Sequence, residues 1–168
     1  MQRIGWILRS ALFFLWLVVT VVPWATFVVL MSIFVRGTRL YWVCVGWLAA
    51  SIWGARVICG VRHRVHGLEN VPTAADGRAA VLLAPKHQST WETFAFPVLM
   101  PHPLCYVFKR ELLWIPFFGW AIGSLDMIHI DRKDGTRAFH KVVEQGKRLV
   151  GQGIWVIMFP EGTRIPRG

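Results

Sequence analysis

From Ser10 to Val35 the chain runs 26 residues without a charge. As a helix that is about 39 Å, against a hydrocarbon core of roughly 30 Å. Arg3, Arg9 and Arg36 flank the run, Trp16 and Trp24 lie inside it, and Pro23 near its middle predicts a kink. A second uncharged run, Leu40 to Ala55, has 16 residues, about 24 Å as helix and short for a full span. The basic tetrapeptide Arg36-Gly-Thr-Arg39 joins the two. One full span and a kinked helical hairpin both fit. The shorter second run favours the hairpin, with Arg36 and Arg39 snorkelling to the headgroups. A cleaved signal peptide is not expected, because the apolar run is too long and no small-x-small site follows it.

After Arg56 the pattern changes. Short apolar, β-rich runs alternate with helical stretches, which predicts an α/β domain whose sheet is covered by helices. Strands are expected at Arg62–His66, Ala80–Ala84, Leu104–Phe108, Met127–Ile130 and Ile154–Phe159. A helix is expected over Thr136–Val150, with Phe139, Val142, Val143, Gly146, Leu149 and Val150 on its apolar face. Glu69–Arg78, with its Pro, Gly and Asp, reads as a surface loop. The domains are therefore 1–58, a membrane-embedded helical hairpin, and 59–168, an α/β domain.

Composition sharpens the membrane reading. The chain is 55% hydrophobic, with ten tryptophans and a mean hydropathy of +0.46, too apolar for an ordinary soluble domain. Its formal charge of +10 is unevenly spread. Residues 1–55 hold four arginines and no acid; residues 56–168 hold 15 Lys and Arg against nine Asp and Glu, a net of +6. Beside so apolar an N-terminus, basic excess points to an anionic membrane surface and membrane lipids, not to nucleic acid. Cys44, Cys59 and Cys105 fit neither a disulfide framework nor a zinc spacing, and read as reduced side chains of a protein facing the cytoplasm.

The chemistry-bearing residues follow the strands. After the second comes Pro-Lys-His-Gln-Ser, after the third Lys-Arg-Glu, after the fourth Asp-Arg-Lys-Asp-Gly and after the fifth Pro-Glu-Gly-Thr-Arg. Ligands of open α/β sheets bind beyond the carboxyl ends of the strands. Parallel strands would gather His87 with Lys86, Lys109, Arg110, Arg132 and Arg164 at one rim, and the cation excess there calls for an anionic ligand. His87 and Glu92 lie five residues apart, a turn of about 140° on a continuous helix, too far round to meet. They meet if His87 is in the loop and the helix starts just after it, with Ser89 as N-cap and Ser89-x-x-Glu92 as capping box. Glu92 can cap and still reach the imidazole, fixing its tautomer as an acidic partner does for a general base. Gly162 permits a tight turn whose amides, with Arg164, suit an oxyanion or a phosphate. A metal at His63 and His66 is not expected, since their spacing is loose and no acid or cysteine accompanies them. His102, His129 and His140 read as structural.

The blocks KHQSTWE, KRELLWIPFFG, IHIDR and FPEGTR, in this order and spacing, resemble the glycerolipid acyltransferases, most of all their bacterial lysophosphatidic acid acyltransferase branch. The resemblance runs from about His66–Pro72 to the end of the chain, and the N-terminal helical pair resembles that family's membrane-embedded two-helix motif. It implies transfer of an acyl chain from acyl-acyl carrier protein or acyl-coenzyme A to the sn-2 hydroxyl of 1-acyl-sn-glycerol-3-phosphate. His87 would be the general base and Glu92 its orienting carboxylate. No acyl-enzyme is implied and Ser89 is not a nucleophile, in keeping with the lack of a G-x-S-x-G elbow. Arg132, Glu161, Gly162, Thr163 and Arg164 fall on the acceptor-binding blocks, with Lys109 a further phosphate ligand and Leu112–Trp120 on the acyl and membrane side. No cofactor and no metal is implied, and the location implied is the bacterial inner membrane with the catalytic domain facing the cytoplasm. Alternatives are another acceptor, such as a lyso-ornithine lipid, and a non-catalytic, membrane-anchored basic binding protein. Glu92 stands where the family usually has Asp, and Asp126 where the block ending IDR usually begins with Gly. Family members usually continue past FPEGTR, so the domain is expected to be incomplete at its C-terminus.

Overall fold

The computed structural model describes residues 2–72 and 80–165, apart from the side chains of Gln2 and Arg132. The expected loop Glu69–Arg78 lies mostly outside the described residues; its start is a 3-10 turn at Leu68–Asn70. Two long helices come first, α1 (Gln2–Met31) and α2 (Thr38–Cys59). Both exceed the expected spans, because Arg3, Arg9, Arg39 and Arg56 continue the helices instead of ending them. Arginine is a good helix former, so a charge is not a stop signal. What ends α2 is Gly60, at φ 72, whose N–H returns to the carbonyls of Ala55 and Arg56. α1 runs on through Pro23.

The pair forms an antiparallel hairpin. Trp24 Nε1 donates to the Val43 carbonyl and Trp47 Nε1 to Thr20 Oγ1, both at 3.0 Å, while Cys59 Sγ lies 3.6 Å from the Arg9 carbonyl. Glycines make the close approach possible: a Cβ on Gly46 would sit 3.0 Å from the Trp24 ring and one on Gly54 2.6 Å from Trp16. Both helices are long and apolar enough to cross a membrane, with mean hydropathies of 2.3 and 1.5.

Four parallel strands follow: β1 (Leu82–Leu83), β2 (Leu104–Lys109), β3 (Ile128–Ile130) and β4 (Trp155–Ile157). Their spatial order is β1-β4-β2-β3. Between them lie α3 (Trp91–Leu99), α4 (Phe118–Gly123) and α5 (Thr136–Gly151). The expected strand at Arg62–His66 is not formed; those residues are extended chain without a ladder partner. With Val65 as its only aliphatic residue it has no face to bury, and the His63 ring packs 4.9 Å from Trp91 instead. α5 keeps its expected limits to within a residue and buries Gly146 and Leu149 against Cys105, Ile128 and Val156. Phe139, counted to the same face, is 66% exposed, lining an open apolar groove with Leu82, Val107 and Ile130 of the sheet side.

The hairpin is not a separate body. Tyr41 and Val45 of α2 share one buried cluster with Leu104, Trp155 and Ile157 of the sheet. Truncating a side chain as enclosed as Trp155 costs about 3–5 kcal/mol. Asp126, just before β3, lies 3.9 Å from the Cβ position of Gly37 at the hairpin tip, at the opposite end of the sheet from the histidine rim.

Candidate active site

Because all four strands are parallel, their carboxyl ends open on one edge. β1 and β4 are neighbours, so the loop carrying His87 leaves the sheet beside the loop Phe159–Arg164. The two are clamped together by backbone. The His87 N–H donates to Glu161 Oε2 at 3.4 Å, and the Ile165 N–H donates to the His87 carbonyl at 2.8 Å. The His87 ring stacks on Phe159, centroids 4.0 Å apart and planes 21° from parallel.

Glu92 collects this loop around itself. Its Oε1 lies 3.0 Å from His87 Nδ1 and accepts the amides of Gln88 and Ser89, both at 2.6 Å; its Oε2 accepts the Ser89 hydroxyl. The expected capping box forms: the Ser89 N–H donates to Glu92 and the Ser89 hydroxyl oxygen accepts from the Trp91 N–H of the first turn at 3.1 Å, while Thr90 already has helical backbone angles. Burial alone would raise the Glu92 pKa, but the bonds from the Ser89 hydroxyl and the local amides outweigh it and bring it to about 2. An ionised Glu92 only accepts, so the His87 Nδ1 facing it carries a proton. His87 and Glu92 are 19% and 17% exposed, open enough to be reached and closed enough to be held.

The cations divide. Arg164 Nη1 donates to Thr90 Oγ1 at 3.2 Å, which brings the guanidinium to the first turn of α3 beside the His87–Glu92 pair. Lys109 ends β2, opposite Ile130, and is exposed. Arg132 opens a 3-10 turn after β3, and its side chain lies outside the described part. With strands about 4.8 Å apart, the exit of β3 lies three strand spacings from that of β1, about 14 Å. Thr163 is exposed; Gly162, at φ 64, closes a turn with its N–H on the Phe159 carbonyl at 3.0 Å. The Glu161 carboxylate, assigned by resemblance to the acceptor, holds the His87 backbone.

Two residues not assigned a role from the sequence complete the frame. Phe159 is the floor under the imidazole, and the Tyr106 hydroxyl, its pKa raised by burial, donates to the Thr93 carbonyl at 2.8 Å and ties α3 to β2. An apolar residue directly before Pro-Glu-Gly was the available signal for the first; nothing in the sequence marked the second. Behind α3 an apolar cavity of about 150 Å³ lies between hairpin and sheet, lined among others by Ala25, Cys44, Phe94, Leu112 and Ile122. Burial pushes the Cys105 thiol up to about 12, so it is inert packing. His102 stacks on Trp155 at 4.4 Å, and burial, then Lys141 and Arg110, lower the pKa of His129. Among the described residues no group of three or more His, Cys, Asp or Glu could hold a metal ion.

A carboxylate bonded to one nitrogen of an imidazole, with a guanidinium bonded to the same first turn of helix, is an arrangement that can accept a proton next to an anion. The chain belongs to the Acyltransferase family, whose model matches residues 62–168. Over 166 residues, 96% of its length, it is 42% identical to the 1-acyl-sn-glycerol-3-phosphate acyltransferase of Pseudomonas aeruginosa. It is 34% identical over 118 residues to the enzyme of that name from Escherichia coli, and 30% identical over 113 residues to the human alpha form. These alignments cover 61%, 43% and 38% of the relatives, so the chain spans about three fifths of the first and less than half of the others. No solved structure matches it.

Proposed function

We propose that the protein of which this chain is part transfers an acyl group to the sn-2 hydroxyl of 1-acyl-sn-glycerol-3-phosphate, giving phosphatidic acid. The His87–Glu92 pair, with Arg164 bonded to Thr90 at the adjoining start of α3, is the observation that supports this reading. The names of the relatives supply the acceptor. His87 Nε2 takes the proton of the hydroxyl as its oxygen attacks the thioester carbonyl of acyl-acyl carrier protein or acyl-coenzyme A. The C–S bond then breaks, and the leaving thiolate receives that proton from the imidazolium, which Glu92 stabilises meanwhile. General-base help of this kind is worth roughly 10²–10⁴ in rate. Arg164 holds the phosphate, with Arg132 and Lys109 further along the rim and the Gly162–Thr163 turn beside them. The chemistry draws on the two substrates alone. The hairpin sits in the bacterial inner membrane with the rim on the cytoplasmic side, where both acyl donors are found, and the apolar cavity behind α3 receives part of an acyl chain.

The test is an assay of membranes carrying the full-length protein, with lysophosphatidic acid and a labelled acyl donor, beside His87→Ala and Arg164→Ala. Collapse of turnover in the first and a rise in acceptor KM in the second support the assignment. Unchanged turnover in His87→Ala ends it.

A further inference from the structure

Between the end of α2 and the 3-10 turn at Leu68–Asn70 the chain runs Val-Arg-His-Arg-Val-His, Val61 to His66. All six residues are exposed, and among the described residues neither Arg62 nor Arg64 is in an ion pair. The segment is nevertheless held at both ends. The Val61 N–H returns to the Ala55 carbonyl at 3.2 Å, behind the Gly60 cap of α2. Past His66, Gly67 turns at φ 82 into the 3-10 helix, and Val71 packs against the buried cluster of Tyr41 and Leu104. In the middle the His63 ring rests on Trp91, centroids 4.9 Å apart. Side chains of extended backbone alternate in direction. With His63 turned to Trp91, Arg62, Arg64 and His66 therefore share the outward side, a basic row with a pitch of about 6–7 Å.

The row borders the catalytic loop. Trp91 opens α3; its N–H donates to Ser89 Oγ, and the Ser89 hydroxyl donates to Glu92, the partner of His87. Arg164 reaches the same turn through Thr90. A ligand lying along the row is thus beside the first turn of α3, which gathers all of these groups. Two observations favour an acidic helix as that ligand. Carboxylates four residues apart on a helix stand about 5–6 Å apart, close to the pitch of the row, whereas lipid headgroups diffuse and need charge without order. Charge for a lipid surface is also supplied elsewhere, by the exposed Arg3, Arg9 and Arg56 of the two helices, whose ends meet where Cys59 Sγ approaches the Arg9 carbonyl.

We propose that Arg62, Arg64 and His66 dock an acidic helix of the acyl carrier protein, so that the acyl donor arrives as a protein. This rests on the acyl transfer proposed above and chooses between its two donors. A small, charge-led contact of this kind suits a donor that must leave after each turnover.

The test compares wild type with Arg62→Ala/Arg64→Ala and Arg62→Glu/Arg64→Glu in the full-length protein, in nanodiscs of phosphatidylcholine with and without phosphatidylglycerol. Lysophosphatidic acid is the acceptor, and the same acyl chain is offered on the carrier protein and on coenzyme A. The expected result with the carrier protein is a fall of about 10-fold in kcat/KM for the alanine pair and a deeper one for the glutamate pair, with coenzyme A changed less than about 2-fold. Added salt should weaken carrier-protein turnover more in wild type than in the alanine pair. Equal falls with both donors, or no fall with the carrier protein, overturn the proposal. So does an effect confined to discs containing phosphatidylglycerol, which assigns the row to lipid headgroups. Binding is read separately, by anisotropy of fluorescent carrier protein whose acyl chain is joined through a thioether. If wild type turns over neither donor, the proposed acyl transfer fails and this binding decides the docking: weakened in the glutamate pair, the row stands; unchanged, it falls.

Discussion

The two halves of the rim are built differently. On the β1–β4 side, His87 is held at its ring by Glu92 and Phe159, at its N–H by Glu161 and at its carbonyl by Ile165. On the β2–β3 side, Lys109 is exposed, Lys133 turns its amide to Asp131, and Asp134 pairs with Arg137 at 3.7 Å on side chains 49% and 87% exposed. Such a surface pair contributes about 0–1 kcal/mol. One half holds the histidine at ring, N–H and carbonyl; the other offers charge on exposed side chains. On the proposed reading, a base needs the first, since misplacing it lowers the rate, whereas capture of a mobile headgroup tolerates the second.

That contrast can be broken by substitution. His87→Ala is the largest expected effect, a loss of about 10²–10⁴ in turnover with acceptor KM little changed, read by steady-state kinetics. Glu92→Gln should follow at about 10²-fold, with Glu92→Asp restoring most of it because charge is kept and only reach shortens. Arg164→Ala removes a charge-assisted contact of about 1.5–3 kcal/mol, so acceptor KM should rise by roughly 10–100-fold. Lys109→Ala should change KM by less than about 3-fold; an effect equal to that of Arg164 would show that both halves bind alike.

A pH series sharpens the same point. The Glu92 pKa in the folded chain is about 2, below its ordinary 4.5. A depressed carboxylate adds stability that is fully present above 4.5 and is lost as pH falls through 2. The difference in Tm between wild type and Glu92→Gln should therefore be constant above pH 4.5 and shrink towards pH 2.

Much of this was legible in the chain. β2, β3, β4 and α5 stand within a few residues of their expected limits, because alternation of apolar runs with turn residues is a local signal. That the loops after β1 and β4 leave on the same edge was readable too, since it needs only parallel strands and short exits. What escaped is long-range. The Arg62–His66 run has some of the residue types of a strand but no neighbour to pair with, and pairing is not written in five residues. Glu161 reads as a headgroup ligand until β4 is seen next to β1, where its carboxylate faces an amide 74 positions away. The hairpin reads as an anchor, because nothing in Tyr41 or Val45 says that they fill the space against Leu104 and Trp155. α4 and its strained entry at Phe117, φ 62, were hidden in a stretch that is apolar throughout and so has no period.

The shared cluster of Tyr41, Val45, Leu104 and Trp155 has a consequence for biogenesis. The helices precede in the chain the strands that close over them. A sheet whose interior is finished by side chains of α2 can complete its core only once the hairpin is folded against it.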